Sequence, residues 1–260
     1  MAALLIPVCG VVGLVIGSFL NVVIWRVPKG ESVVNPLSAC PSCATPIRPR
    51  DNVPVVSWLL LRRRCRDCGE PISARYPIVE TLTAAVFILL TVRIGLAAEL
   101  PAFLYLGAVG IALAAIDLDV KRLPNAIVLP SYAVAALWLG AAAIAQGDST
   151  SLIRAVVGLV ALFGGYFLLA VIVPGGMGFG DVKLAGVLGL YLGWLGWTEL
   201  AVGTFGGFLL GGLAGLLLMA TGRAGRKSHL PFGPFMLLGA FLAILFAEPI
   251  AGWYFGAMGL

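Results

Sequence analysis

Charge is what this sequence has least of. Of its 260 residues only 11% are charged and 60% are hydrophobic, with a mean hydropathy of +1.04. A soluble domain carries roughly a quarter charged residues, so that class is excluded and a polytopic membrane protein is left. Histidine is almost missing too. The single copy, His229, follows a basic loop and reads as a solvated turn residue rather than a metal ligand. Met1 to Cys9 carry no side-chain charge, so the first apolar run lacks the positive n-region of a secretory signal and is expected to be a first span. Cys9 within it has the character of a small packed thiol. No Rossmann-type cofactor fingerprint is present, because the glycines before Asp181 sit between membrane segments and not inside a βαβ unit. An internal repeat of the kind transporters often show is also lacking.

What is present is a series of apolar runs. Windows of about 20 residues predict an all-α protein of eight transmembrane helices, at 4–25, 78–96, 101–117, 125–145, 152–173, 183–198, 200–221 and 234–257. If residues 26–77 are cytoplasmic, 15 of the 17 basic residues fall on that side, leaving Arg93 and Arg154 towards the other. Both termini are then outside. The short outer turns around Glu99, Asp148 and Glu199 are mildly acidic, in agreement. The net charge of +5 follows from this topology and gives no argument for nucleic acid. Trp194, Trp197 and Trp253 suit the outer interfacial belt, and the glycines from Gly203 to Gly215 suit close helix packing. The chain divides into a first helix (1–25), a cytoplasmic four-cysteine region (26–77) and a helical core (78–260).

The cytoplasmic region contains CPSC at Cys40 and Cys43 and CRDC at Cys65 and Cys68, separated by 21 residues. Two such knuckles match a tetrahedral thiolate shell around zinc. A pair of disulfides is the competing reading, disfavoured on a reducing cytosolic side. With four protein ligands the metal would be structural, and a segment this short and polar would draw much of its folding free energy from it.

Few carboxylates lie in or beside the spans: Glu80, Asp117, Asp119, Asp181 and Glu248. A carboxylate near the bilayer core costs roughly 2.5 to 3.5 kcal/mol on insertion scales and persists where it has a task. Asp117 ends the third span and Asp181 begins the sixth, both on the cytoplasmic side. Two aspartates at one depth on separate helices suit a water-activating dyad, one protonated and one a base, and water reaches that depth without crossing the core. Asp119, in a polar turn beside Lys121 and Arg122, is explained by solvent or ion pairing. Gly175, Gly176, Gly178 and Gly180 are expected to admit a substrate backbone to Asp181 and to supply backbone angles closed to other residues. A proton-coupled transporter using the pair as a relay is the alternative, against which both aspartates lie at one face rather than at the midplane.

Asp117 followed by KRLPN, and GMGFGDVKL at Gly176 to Leu184, resemble the bacterial type IV prepilin peptidases of the G-x-G-D intramembrane aspartyl protease class. GSFLNVVIWRVP at Gly17 to Pro28, the paired knuckles, ISARYPIVE at Ile72 to Glu80 and LPFGPFMLLG at Leu230 to Gly239 are similar to that family's other motifs, in the same order. The resemblance implies a bifunctional inner-membrane enzyme. Such an enzyme cuts the short basic leader from prepilins or pseudopilins at the cytoplasmic face, then methylates the new amine with S-adenosylmethionine. It also implies Asp117 and Asp181 as the catalytic pair and the four cysteines as a metal centre tied to methyl transfer. By motif position, Asn21, Arg26 and Glu80 are candidates for the cofactor site. Asn125 stands where many relatives have aspartate, which leaves the first catalytic slot filled by Asp117.

Overall fold

The computed structural model describes residues 2–173, 177–222 and 230–258. Gly175, Gly176, Arg223, Arg226, Lys227 and His229 lie outside the described residues. The described residues contain nine α-helices, two 3-10 turns and no strand. The helices are α1 (Ala2–Arg26), α2 (Val56–Leu60), α3 (Arg75–Ile94), α4 (Leu100–Val120), α5 (Asn125–Gln146), α6 (Ser149–Ile172), α7 (Phe179–Leu195), α8 (Trp197–Ala220) and α9 (Gly233–Met258). Seven of these are long and apolar enough to cross a membrane. The eighth expected span is α7, whose 17 residues reach about 25 Å, short of a hydrocarbon core of about 30 Å. Its residues from Val182 to Trp194 are almost all buried, so protein rather than lipid surrounds it. The fold class read from the sequence therefore stands.

The chain forms two compact units, one of residues 1–100 with 104–112, the other of residues 101–103 with 113–260.

In unit 1, α1 packs on α3 through glycine. A Cβ on Gly13 would lie 2.7 Å from the Ala84 Cα, and one on Gly17 2.6 Å from the Glu80 Cα, so only hydrogen permits this approach. Cys9 is buried in α1, as a packed thiol should be. The polar region between α1 and α3 is tied by short links. Arg66 holds Asp51 through two hydrogen bonds of 2.9 and 2.6 Å, and Arg48 reaches Asp67 at 3.0 Å.

In unit 2, α7 packs on α6 along Gly189 and Gly193. A Cβ on Gly193 would come within 2.6 Å of the Arg154 carbonyl oxygen, and one on Gly189 within 2.9 Å of the Leu159 Cα. Arg154 then caps the exposed end of α7, donating to the carbonyls of Gly193 (2.8 Å), Trp194 (2.6 Å) and Leu195 (3.2 Å). A cation there satisfies acceptors that a helix C-terminus leaves open. The α8–α9 contact uses Gly203, Gly207 and Gly211 against Ala243, Met236 and Phe232, while Gly212 and Gly215 face open space. The packing role expected for this run thus belongs to the glycines up to Gly211. Trp194 is 4% exposed and belongs to the core, whereas Trp197 and Trp253 are exposed as the interfacial belt requires. Trp194 is drawn inward because α7 as a whole is enclosed. Helix α9 bends at Phe246 (φ −137°, ψ 16°), three residues before Pro249, whose ring removes one helical hydrogen bond and clashes with the preceding turn.

Candidate active site and metal centre

Two constellations stand out, one in each unit. In unit 2 the last turn of α4 carries Asp117 and the first turn of α7 carries Asp181. Both are buried, at 4% and 9% exposure. Asp119, two residues on, is exposed, because a step of two residues along a helix turns to a different face. Each buried carboxylate accepts one backbone N–H. Gly233 at the start of α9 donates to Asp117 Oδ2 at 3.1 Å, and Gly178 donates to Asp181 Oδ2 at 3.1 Å. Leu123 joins the two places, since a Cβ on Gly180 would lie 3.1 Å from its Cβ and a Cβ on Gly233 would lie 3.3 Å from one of its methyls.

At Gly178 and Gly180 the backbone half of the expectation is not met. Gly178 has φ −75° and ψ 145°, and Gly180 lies within α7, so neither adopts a conformation closed to other residues. What they supply is room. A Cβ on Gly178 would sit 3.2 Å from Asp181 Oδ2, and at Gly180 the missing side chain lets Leu123 pack against the helix start. Gly233 does the same for Asp117, whose Oδ2 would be 2.8 Å from an added Cβ. Spacing alone did not pick out Gly233 or Leu123. The only trace of them was the position of Gly233 in LPFGPF and of Leu123 in KRLPN. Asn125 also acquires a contact, accepting from Lys183 Nζ at 2.9 Å, while Tyr132 donates to the Lys183 carbonyl at 2.5 Å. These bonds fix α5 against the first turns of α7.

In unit 1 the sulfurs of Cys40, Cys43, Cys65 and Cys68 all lie within 4.8 Å of one another, and those of Cys40 and Cys68 are 3.8 Å apart. All four are free thiols. A tetrahedral ion with metal–sulfur bonds of about 2.3 Å needs sulfur–sulfur edges of about 3.8 Å, so the donor set fits. The knuckles are built alike. ACPSCATPI and RCRDCGEPI share C-x-x-C-x-x-P-I, and each is closed by one antiparallel bridge, Ala39 to Pro46 and Arg64 to Pro71. The residue after the second cysteine is left-handed in both, Ala44 at φ 57° and Gly69 at φ 73°.

The electrostatics point the same way. Hydrogen bonds with the Thr45 side chain and backbone lower the Cys43 thiol to about 6, and the N–H groups of Cys68 and Asp67 lower Cys65. At Cys68 the Glu70 N–H favours the thiolate, but burial and the neighbouring sulfurs outweigh it and push the thiol up to about 12. Four thiolates together need a cation.

Asn21 and Glu80 come together where α1 meets α3. Asn21 Nδ2 donates to the carbonyls of Gly17 and Tyr76, both at 3.2 Å, and Glu80 Oε2 accepts the Val55 N–H at 2.7 Å. Arg26 instead closes its own turn by donating to the Ser32 carbonyl at 3.0 Å.

A helical membrane protein with a buried aspartate pair and a separate four-thiolate centre defines a narrow class. The model of the Bacterial Peptidase A24 N-terminal domain matches residues 11–94, and that of the Type IV leader peptidase family matches residues 103–247. The chain belongs to the type IV leader peptidase family. Among its relatives is the prepilin leader peptidase/N-methyltransferase of Aeromonas hydrophila, 36% identical over 93% of this chain and 90% of that protein. The protein of the same name from Bacillus subtilis (strain 168) is 34% identical over 93% and 94%, and that of Neisseria gonorrhoeae 36% over 88% and 86%. No solved structure matches the chain. A family of peptidases favours hydrolysis over the proton-relay alternative.

Proposed function

We propose that the protein removes the leader of type IV prepilins or pseudopilins at the cytoplasmic face of the inner membrane, with Asp117 and Asp181 as the catalytic pair. The observation that carries this reading is that both carboxylates are buried and each holds one backbone N–H, while Leu123 packs against Gly180 beside Asp181 and against Gly233, which holds Asp117. One of the pair is ionised and takes a proton from water as the water attacks the scissile carbonyl. The other, protonated, hydrogen-bonds the developing oxyanion and then donates its proton. Two carboxylates that share one water and one scissile bond favour sharing a single proton. No covalent intermediate is needed. The Gly178 and Gly233 N–H groups hold one oxygen of each carboxylate and leave the other for water and substrate. The substrate backbone approaches beside Gly178 and Gly180, and the apolar helix that follows the leader packs among the spans.

The second activity is methylation of the new N-terminal amine, supported by the names of the relatives. Unit 1 is the part assigned to it. Cys40, Cys43, Cys65 and Cys68 would hold a structural zinc ion that fixes the two knuckles. S-adenosylmethionine supplies an electrophilic methyl group when bound. Asn21, Glu80 and Arg26 are proposed near its site by motif position, with their polar groups held by the protein contacts described above. The charge distribution supports N-out and C-out termini with both centres cytoplasmic.

The deciding experiment is mass spectrometry of a candidate prepilin incubated with purified protein, with and without S-adenosylmethionine. Leader loss in both reactions and a methyl mass increment only with the donor are expected. An intact prepilin in both would refute the reading.

A further inference from the structure

The short helix α2 is pinned where it begins. The Val55 N–H donates to Glu80 Oε2 at 2.7 Å, and Glu80 lies in the second turn of membrane helix α3. Trp58 Nε1 donates to the Ile72 carbonyl at 3.1 Å, three residues before α3 starts. Helix α2 therefore runs at the depth where α3 enters the bilayer, and the chain on either side of it leaves and re-enters through α1 and α3. At that depth its outer side is apolar, with Leu59 at 61% and Leu60 at 78% exposure.

Directly after this apolar turn comes Arg62-Arg63-Arg64, all exposed. Arg62 (φ 51°) and Arg63 (φ 64°) are left-handed, which ends the helix sharply and leaves three consecutive arginines at its end. Other arginines of the region are neutralised, Arg48 by Asp67 and Arg66 by Asp51. Arg63 stacks over Trp58 at 5.7 Å, and among the described residues Arg62 and Arg64 have no anionic partner. Two bare leucines beside unpaired cations at the bilayer surface have the composition of an interfacial anchor. A basic leader peptide, by contrast, is repelled by such a patch.

We infer that α2 and Arg62–Arg64 dock on the membrane itself. Leu59 and Leu60 enter the boundary between headgroups and acyl chains, and the arginines bind the phosphates of anionic phospholipid. The anchor holds the four-cysteine region flat against the bilayer beside the ends of α1 and α3. It stands independently of the peptidase assignment.

The test uses the full metal-loaded chain in nanodiscs of phosphatidylcholine alone or mixed with phosphatidylglycerol, read by hydrogen–deuterium exchange of peptides covering residues 56–64. Exchange in the anionic discs should be slower, by up to about fivefold per arginine at low salt. The difference between the two lipids should vanish in the triple variant Arg62→Gln, Arg63→Gln, Arg64→Gln. Should that variant fail to fold, a salt titration of the unmodified protein decides, because screening should erase the difference. Equal exchange in both lipids at low salt, or a difference that persists at high salt, overturns the anchor. So does protection that appears only on adding a prepilin leader peptide, which would assign the patch to substrate.

Discussion

The thiolate cluster of unit 1 and the aspartate pair of unit 2 are assembled by opposite routes. The cysteines are close in the chain, Cys40 and Cys68 being 28 residues apart, and a repeated turn presents them two at a time. The aspartates come from the end of one helix and the start of another, and the group that holds Asp117 arrives from 116 residues away. The first site is a local code whose four sulfurs fit a tetrahedral ion. The second exists only when α4, α7 and α9 are packed, so its geometry depends on the small residues that let them approach. A fault in unit 1 should therefore be local and metal-linked, and a fault in unit 2 should depend on packing.

The largest expected effect tests that separation directly. Asp117→Asn and Asp181→Asn should each lower leader cleavage by about 10²-fold to 10⁴-fold or more, since an amide cannot relay the proton. Methylation of an already trimmed pilin should continue, and Asp119→Asn should cleave normally. Loss of both activities in the aspartate variants, measured on the same preparation, would break the division between the units.

The next effect runs the other way. Cys40→Ser, or stripping with a strong chelator, should release one metal ion per chain by elemental analysis and expose residues 27–74 to protease. The forfeited metal-binding free energy is on the order of 10 kcal/mol. Methyl transfer should be lost while cleavage survives in large part. A metal-free chain that still methylates would remove the structural role of the cluster.

Smaller changes sharpen the packing side. Gly233→Ala places a methyl against Asp117 Oδ2 and should cut kcat by roughly 10-fold to 100-fold, the scale of a misplaced catalytic group. Gly180→Val should act in the same direction by displacing Leu123. Circular dichroism of both variants should remain that of the parent. Normal turnover by Gly233→Ala would show that the carboxylate position is not set by this contact.

The smallest expected effect compares the two knuckles. Ala44 holds a left-handed conformation that its counterpart Gly69 adopts freely, so Ala44→Gly should relieve about 1 kcal/mol of strain and tighten metal binding by roughly fivefold. Gly69→Ala should do the reverse. Competition with a chromogenic chelator reads both, and equal affinities would mean that the repeat is one of sequence only.

The membrane helices, their order and the four-cysteine cluster were legible in the sequence because each rests on short-range signals. Apolar runs set the spans, and the C-x-x-C pairs set the ligands. The aspartates could be nominated from depth and cost, but their partners could not be named. The glycines show where the reading fell short. Both steric access and special backbone angles were expected at Gly178 and Gly180, and the structure gives them ordinary angles, so the backbone half of that expectation fails. Trp194 looked interfacial in a linear scan and is buried because α7 is enclosed.

By itself, the sequence determined that this is a multi-pass helical protein with a four-thiolate loop and carboxylates too costly to be idle, since hydropathy and ligand spacing act within a few residues of chain. Only the tertiary structure decided which backbone N–H holds each carboxylate, that Leu123 lies between the two places, and that α7 is sheathed by protein. Those outcomes depend on which helix faces meet at close range, and no local segment encodes its own neighbour.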